Sequence, residues 1–158
     1  MNFAEDVSEM SSAQRLKVGA VVVKDDRVIS FGYNGTPSGW DNECEERIYI
    51  SDEEKNNEYE WIVNNYPYSD CGTSRPYKLI TKPEVLHAEA NALMKLAKTV
   101  ESGEGAALFL THSPCMNCAK MIYQAGITSI FFKHRYRDDS GIKFLEKAKL
   151  YVEEIKNE

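Results

Sequence analysis

The sequence contains no run approaching the ~18 apolar residues that a helix needs to cross a bilayer. Its opening residues, Met1-Asn2-Phe3-Ala4-Glu5-Asp6, carry neither the basic start nor the apolar stretch of a secretory signal. These absences argue against a helical membrane span and against export, and the expected compartment is the cytoplasm. Positive charge is also short: 19 Lys and Arg face 25 Asp and Glu, a formal charge of −6, with acidic residues crowded into 41 to 60 and 153 to 158. Such a chain has no general attraction for a polyanion, so a long nucleic acid is not expected as partner, although a local basic patch can still hold one phosphate. Cysteine is scarce, four residues in 158, and in a reducing compartment a close pair serves metal or redox chemistry rather than a disulfide framework. No internal repeat or low-complexity tract is evident. The length predicts one domain, 1–158, with enough apolar residues to build its own core.

The apolar pattern alternates between strand and helix signals. Residues 3 to 14 read weakly as a helix. Val18-Gly19-Ala20-Val21-Val22-Val23 and Val28-Ile29-Ser30-Phe31-Gly32-Tyr33 are β-rich runs around the turn Lys24-Asp25-Asp26, which predicts a strand, tight turn and strand. Asn34-Gly35-Thr36-Pro37-Ser38-Gly39 is turn chemistry. From about 41 to 82 the periodicity fades into an acidic, polar stretch that reads as an insertion with at most one short helix near 52 to 65. Order returns with a helix over 84 to 100, carrying Leu86, Ala90, Leu93, Met94 and Ala97 at helical spacing. A buried-type strand is predicted at 106 to 111, a helix from Cys115 to Gln124 stopped by Gly126, a strand at 129 to 132, a helix near 140 to 149 and a possible edge strand at 151 to 155. Strands alternating with helices predict an α/β layer with helices on both faces.

The stretch Thr111-His112-Ser113-Pro114-Cys115-Met116-Asn117-Cys118 places two thiols one helical turn apart at a helix start. A redox dithiol of thioredoxin type belongs near the beginning of its domain, and this pair lies two-thirds of the way along. Metal is the better use, and metal needs more ligands. His87-Ala88-Glu89 supplies them if the strand at 106 to 111 lies between the two helices, since both helix starts then point at one spot. One imidazole and two thiolates suit zinc; three protein ligands leave a position for water, where four would close the site. Glu89 is badly directed to be a fourth ligand but well placed to move protons. Taken singly, His87 could be only a hydrogen-bonded helix-start histidine and Glu89 a first-turn carboxylate. Asn34 and Gly35 could be only a turn, and His112 and His134 read as ordinary.

His-x-Glu followed by Pro-Cys-x-x-Cys, here His87-Ala88-Glu89 and Pro114-Cys115-Met116-Asn117-Cys118, is the pattern of the zinc nucleobase deaminases. Together with Val18 to Val23, the loop Phe31-Gly32-Tyr33-Asn34-Gly35-Thr36-Pro37-Ser38-Gly39 and His87-Ala88-Glu89-Ala90-Asn91, it resembles the deoxycytidylate (dCMP) deaminase family over about 15 to 138. The resemblance implies a three-layer α-β-α cytidine-deaminase-like fold with a central five-stranded mixed sheet. It implies one catalytic Zn2+ on His87, Cys115 and Cys118, with Glu89 carrying protons to the pyrimidine N3 and the leaving ammonia as dCMP becomes dUMP for thymidylate synthesis. It implies substrate contacts from Asn34 to the sugar, from the Ala88 amide and the Ser113-Pro114 region to the base edge, and from Tyr136 near the 5′-phosphate, with Arg135 or Arg137 as charge partner.

The family resemblance further implies a homo-oligomer, a hexamer favoured, activated by dCTP with Mg2+ and inhibited by dTTP, with Gly32, Tyr33, Gly35 and Thr36 contributing to the effector site. A second, structural zinc found in some relatives is not expected, because the ligand positions read Ser12-Ala13-Gln14-Arg15 and Glu84-Val85-Leu86, and Cys44 and Cys71 have no histidine nearby. The zinc motif does not choose the ring. A tRNA adenosine deaminase, a riboflavin-pathway or guanine deaminase, and a non-catalytic zinc-stabilised binding module stay open as alternatives. The acidic balance opposes an RNA substrate, and the presence of Glu89 opposes the inert module.

Overall fold

The computed structural model describes residues 1–156. Helix α1 is Asn2–Ser8, followed by strands β1 at Gly19–Lys24 and β2 at Arg27–Tyr33. The segment after β2 holds β3 at Glu45–Tyr49, a single 3-10 turn at Glu54–Asn56, α2 at Tyr59–Asn65, β4 at Tyr68–Ser69 and β5 at Pro76–Thr81. Then come α3 at Ala88–Leu96, β6 at Ala107–His112, α4 at Met116–Gln124, β7 at Ser129–His134, α5 at Ser140–Lys147 and β8 at Tyr151–Glu154.

Two sheets form. The larger runs β2-β1-β6-β7-β8, antiparallel from β2 to β6 and parallel from β6 to β8, which is the five-stranded mixed sheet expected. Strand alternation sorts its side chains. Ala20, Val22, Leu108, Leu110, Ile130 and Phe132 join Leu93, Leu96, Ile122 and Leu145 of the helices in one buried cluster, so α3, α4 and α5 cover one face. Val21 packs with Ala4 and Val7 of α1 on the other face, flanked by Phe31 and Phe109. Each fully buried large side chain contributes about 1.5–3 kcal/mol, and that term holds the three layers together.

Gly32 sets how closely α3 lies on the sheet. A Cβ there would stand 2.4 Å from Ala92 N and 2.5 Å from Ala88 O, so the helix backbone rests directly on β2. Asn91 adds a polar tie, its Nδ2 donating to Tyr33 O at 2.9 Å.

Three element predictions need correction. The first helix ends at Ser8, not near 14, because the chain turns so that buried Ser11 donates from its hydroxyl to Asn34 O at 2.7 Å. The helix expected from 84 starts at Ala88. Leu86 is drawn away to pair with Gly35 in a two-bond bridge, Gly35 N–H to Leu86 O at 3.1 Å and Leu86 N–H to Gly35 O at 2.8 Å. The largest miss lies in 41–82, where an antiparallel sheet of order β3-β5-β4 stands beside the short helices. Its strands mix charged, aromatic and aliphatic residues and are mostly exposed or half-buried, so no apolar period announced them.

Candidate active site

Strands β6 and β7 run parallel, and the chain leaves both at the same end of the sheet, where α4 begins. Cys115 is the residue capping α4, extended at φ −72° and ψ 168°. His87 caps α3 in the same way, at φ −71° and ψ 153°, because the Leu86–Gly35 bridge holds the preceding backbone straight. The two helix starts therefore meet, as the strand-between-helices arrangement required.

His87 Nδ1 lies 3.6 Å from Cys115 Sγ and 3.4 Å from Cys118 Sγ. All three donor atoms fall within 4.8 Å of one another, the one group among the described residues that could hold a metal ion. Neither Cys44 nor Cys71 joins such a group. The thiols are strongly coupled. Contact with the Cys118 thiol, and then with His87, holds Cys115 far below the usual thiol range, and the same contact with burial pushes Cys118 up. Contact with Cys115 raises His87 in turn. The chemistry of the set, one imidazole and two sulfurs with room for a fourth partner, fits zinc in an open site.

Glu89 sits in the first turn of α3 at 4% exposure. Burial raises its carboxyl to about 6, opposed by its own backbone N–H and by the charge of His87. A carboxyl near neutrality beside a metal-binding set can both take and give a proton.

An open cleft of about 620 Å³, counted to its mouth, lies over these groups. Of the residues expected at the site, Asn34, His87, Ala88, Glu89, Ser113, Cys115 and Tyr136 line it. Asn34 is held in place at both ends of its amide, with Oδ1 accepting from Val18 N–H at 2.7 Å and Nδ2 donating to Leu16 O at 2.8 Å. Ser113 Oγ accepts from Tyr136 N–H at 2.8 Å and so fixes the loop that carries the tyrosine. Cys118 stands buried behind the wall.

The others lie elsewhere. Pro114 is fully buried, and a Cβ on Gly141 of α5 would stand 2.0 Å from its carbonyl oxygen, so it shapes the turn from below rather than facing the cleft. Arg137 is exposed with its guanidinium 5.3 Å from the Tyr136 ring centre. Arg135 is engaged by Glu154 at 2.8 Å and Asp139 at 3.5 Å. In the loop expected to serve an effector, Gly32 is covered by α3, the Tyr33 ring lies 5.3 Å from Lys95 Nζ, Gly35 is bridged to Leu86 and Thr36 donates to Asp41 O.

The cleft wall also holds Arg15, Glu45 and Thr81, which sequence patterns did not single out, and His112, which they read as ordinary. His112 is half-buried, 3.2 Å from Thr111 Oγ1, with its ring 5.1 Å from that of His134; burial and then the neighbouring imidazole hold its pKa down. Its place at the end of β6, next to the Pro-Cys turn, was the available signal. Glu45 and Thr81 offered none, since they lie in the stretch without periodicity.

The family model for the cytidine and deoxycytidylate deaminase zinc-binding region matches residues 1–134. The deoxycytidylate deaminase of Enterobacteria phage T2 is 35% identical, across 82% of this chain and 75% of that protein. The human deoxycytidylate deaminase is 32% identical, across 80% of this chain and 61% of its own. Among solved structures, the dCMP deaminase of cyanophage S-TIM5 in complex with dCMP and dUMP superposes with a TM-score of 0.74 at 37% identity, covering 98% of this chain and 92% of that one. The family match spans α3, β6 and α4, the frame of the cleft, and the phage relative agrees over most of the chain: the chain belongs to the cytidine and deoxycytidylate deaminase zinc-binding family.

Proposed function

We propose that the chain catalyses dCMP + H2O → dUMP + NH3. The observation that carries this reading is the convergence of His87, Cys115 and Cys118 on one point beside the buried Glu89, at the floor of a cleft in a member of this deaminase family. His87 Nδ1 and the two Sγ atoms would hold the zinc. When bound, zinc supplies an activated water as nucleophile near neutral pH.

The remaining work falls to this chain's own groups. Glu89 takes a proton from the attacking water, delivers it to the ring N3, and carries the next to the departing amino group as C4 of the cytosine gains oxygen and loses nitrogen. Its raised pKa suits an acid and base in turn. The Ala88 amide, in the first turn of α3 and without an intrahelical acceptor, together with Ser113, reads the base edge, and Asn34 faces the sugar. Arg15 is the one Lys or Arg on the wall among the described residues, so it is assigned the 5′-phosphate, with Tyr136 beside it on the wall. Arg135 is committed to carboxylates and is not assigned.

The zinc-loaded protein incubated with dCMP, deoxycytidine and CMP, followed by the cytosine-to-uracil absorbance change, tests this. Turnover of dCMP well above the others is expected, and no turnover of dCMP overturns the reading. We propose further that the chain is a single domain with 41–82 inserted, and that it works in the cytoplasm. Its regulation is assigned to dCTP with Mg2+ as activator and dTTP as inhibitor, on a homohexamer. The regulatory part is supported by the resemblance of the Gly32–Thr36 loop. Repeating the assay with each triphosphate, alongside light scattering, checks it, and an unchanged rate rejects it. No described helix is long and apolar enough to cross a membrane.

A further inference from the structure

Glu45 opens β3 at the end of the three-stranded sheet that meets the cleft, and its register partner on β5 is Thr81. The Glu45 carboxylate accepts from two successive backbone amides of the segment leading into β1. Gln14 N–H reaches Oε1 at 3.1 Å and Oε2 at 3.2 Å, and Arg15 N–H reaches Oε1 at 3.2 Å. From the facing strand, Thr81 Oγ1 accepts from Arg15 Nη1 at 3.1 Å. One rung of the sheet thus holds Arg15 by its main chain and by its side chain at once.

Without that rung Arg15 would have little to orient it. Residues 14–17 lie between α1 and β1, outside any regular element, and all four are exposed. An arginine on such a stretch loses backbone and rotamer freedom when it closes on a ligand, and that loss is subtracted from affinity. Successive amides on a carboxylate form a charge-assisted nest, stronger than neutral hydrogen bonds of the same number.

We propose that Glu45 and Thr81 are positioning residues that pre-set the Arg15 guanidinium for the 5′-phosphate, so that the inserted sheet serves to tell a nucleotide from a nucleoside. This rests on the assignment of Arg15 to the phosphate. The carboxylate accepts from the Gln14 and Arg15 amides; its charge orients donors and does not replace them.

Calorimetric titration of the zinc-loaded protein with dUMP and with deoxyuridine separates the possibilities, using Arg15→Ala, Glu45→Ala, Thr81→Val and the double variant Arg15→Ala/Glu45→Ala. Arg15→Ala is expected to weaken dUMP by about tenfold or more relative to deoxyuridine. Glu45→Ala and Thr81→Val should each weaken dUMP by roughly three- to tenfold, leave deoxyuridine little changed, and raise KM for dCMP more than they lower kcat. In the double variant the Glu45 effect should vanish, because it acts through Arg15. If Glu45→Ala weakens both ligands alike, or adds its full loss on top of Arg15→Ala, its role is structural and the clamp is rejected. If Glu45→Ala tightens dUMP, repulsion dominates and the clamp is likewise rejected. Should Glu45→Ala fail to fold, Thr81→Val decides alone, since it keeps the side-chain shape. If Arg15→Ala leaves the dUMP to deoxyuridine ratio unchanged, the phosphate assignment itself falls and the clamp with it.

Discussion

The five-stranded sheet and the three-stranded sheet are built from different materials. The first is aliphatic and dry on its helix-covered face: Leu108, Leu110, Ile130 and Val22 are fully buried beneath α3, α4 and α5. The second stands mostly in solvent and holds itself by surface contacts. Tyr49 and Tyr77 lie 5.6 Å apart and Tyr68 stacks on Tyr77 at 5.4 Å. Arg47 sits 5.1 Å from the Tyr77 ring centre, with Asp70 Oδ2 3.6 Å from its guanidinium. The difference separates two demands on one cleft. Donor atoms that meet within a few ångströms need a rigid floor, which close packing provides. A wall that contributes charge and hydrogen bonds to a polar substrate group can be made of polar strands whose stability is local and modest.

Removing a ligand from the floor is expected to have the largest effect. Cys118→Ser should lose stoichiometric zinc and bring deamination to background, with metal content measured directly; retained zinc would reject Cys118 as a ligand. Next, Glu89→Gln should cut kcat by ~10²-fold or more while zinc stays bound, because proton transfer by a positioned side chain is worth at least that much. Full activity in this variant would show that another group carries the proton. In stability, Leu110→Ala on the floor should cost about 2–5 kcal/mol in denaturant unfolding. Ile48→Ala on β3, a side chain 36% exposed, should stay within about 0.5 kcal/mol. Equal losses at the two positions would erase the contrast between the sheets.

The smallest expected effect is a pH dependence of the polar sheet. Asp70 accepts from Gly72 N–H and Thr73 N–H, each at 3.0 Å, from Thr73 Oγ1 at 3.0 Å and from Tyr49 Oη at 3.2 Å. The Thr73 backbone bond contributes most to holding its pKa below the ordinary aspartate value. A depressed carboxylate adds stability that is fully present above the unfolded pKa of about 3.9 and is lost as pH falls through the lower folded value. Tyrosine fluorescence of the segment should therefore change on acidification below about pH 4, and Asp70→Asn should flatten that change. An identical acid profile in Asp70→Asn would locate the transition elsewhere.

The same contrast explains what could be seen in the sequence. Val18 to Val23, Ala106 to Leu110 and the run Ala88 to Leu96 carry the periods of buried strands and an amphipathic helix, because each has one side to hide. Glu45-Glu46-Arg47-Ile48-Tyr49 and Pro76-Tyr77-Lys78-Leu79-Ile80-Thr81 hide little, so neither period is imposed on them, and a sheet went unforeseen. At the site, His87, Glu89, Cys115 and Cys118 were legible because metal chemistry restricts both residue type and spacing. Arg15 and Glu45 were not, since any exposed arginine or glutamate looks the same until its neighbours are known.

The sequence by itself determined the His-x-Glu and Cys-x-x-Cys groups that meet at the cleft and the alternation that makes the mixed sheet, because each depends on residue type at short range. Only the tertiary structure decided that Leu86 leaves the helix to bridge Gly35, that Arg135 is spent on Glu154, and that a rung of an inserted sheet grips Arg15 at the cleft. Those outcomes follow from hydrogen bonds between segments 19 to 66 residues apart, which compete for the same donors and are settled only when the chain has folded.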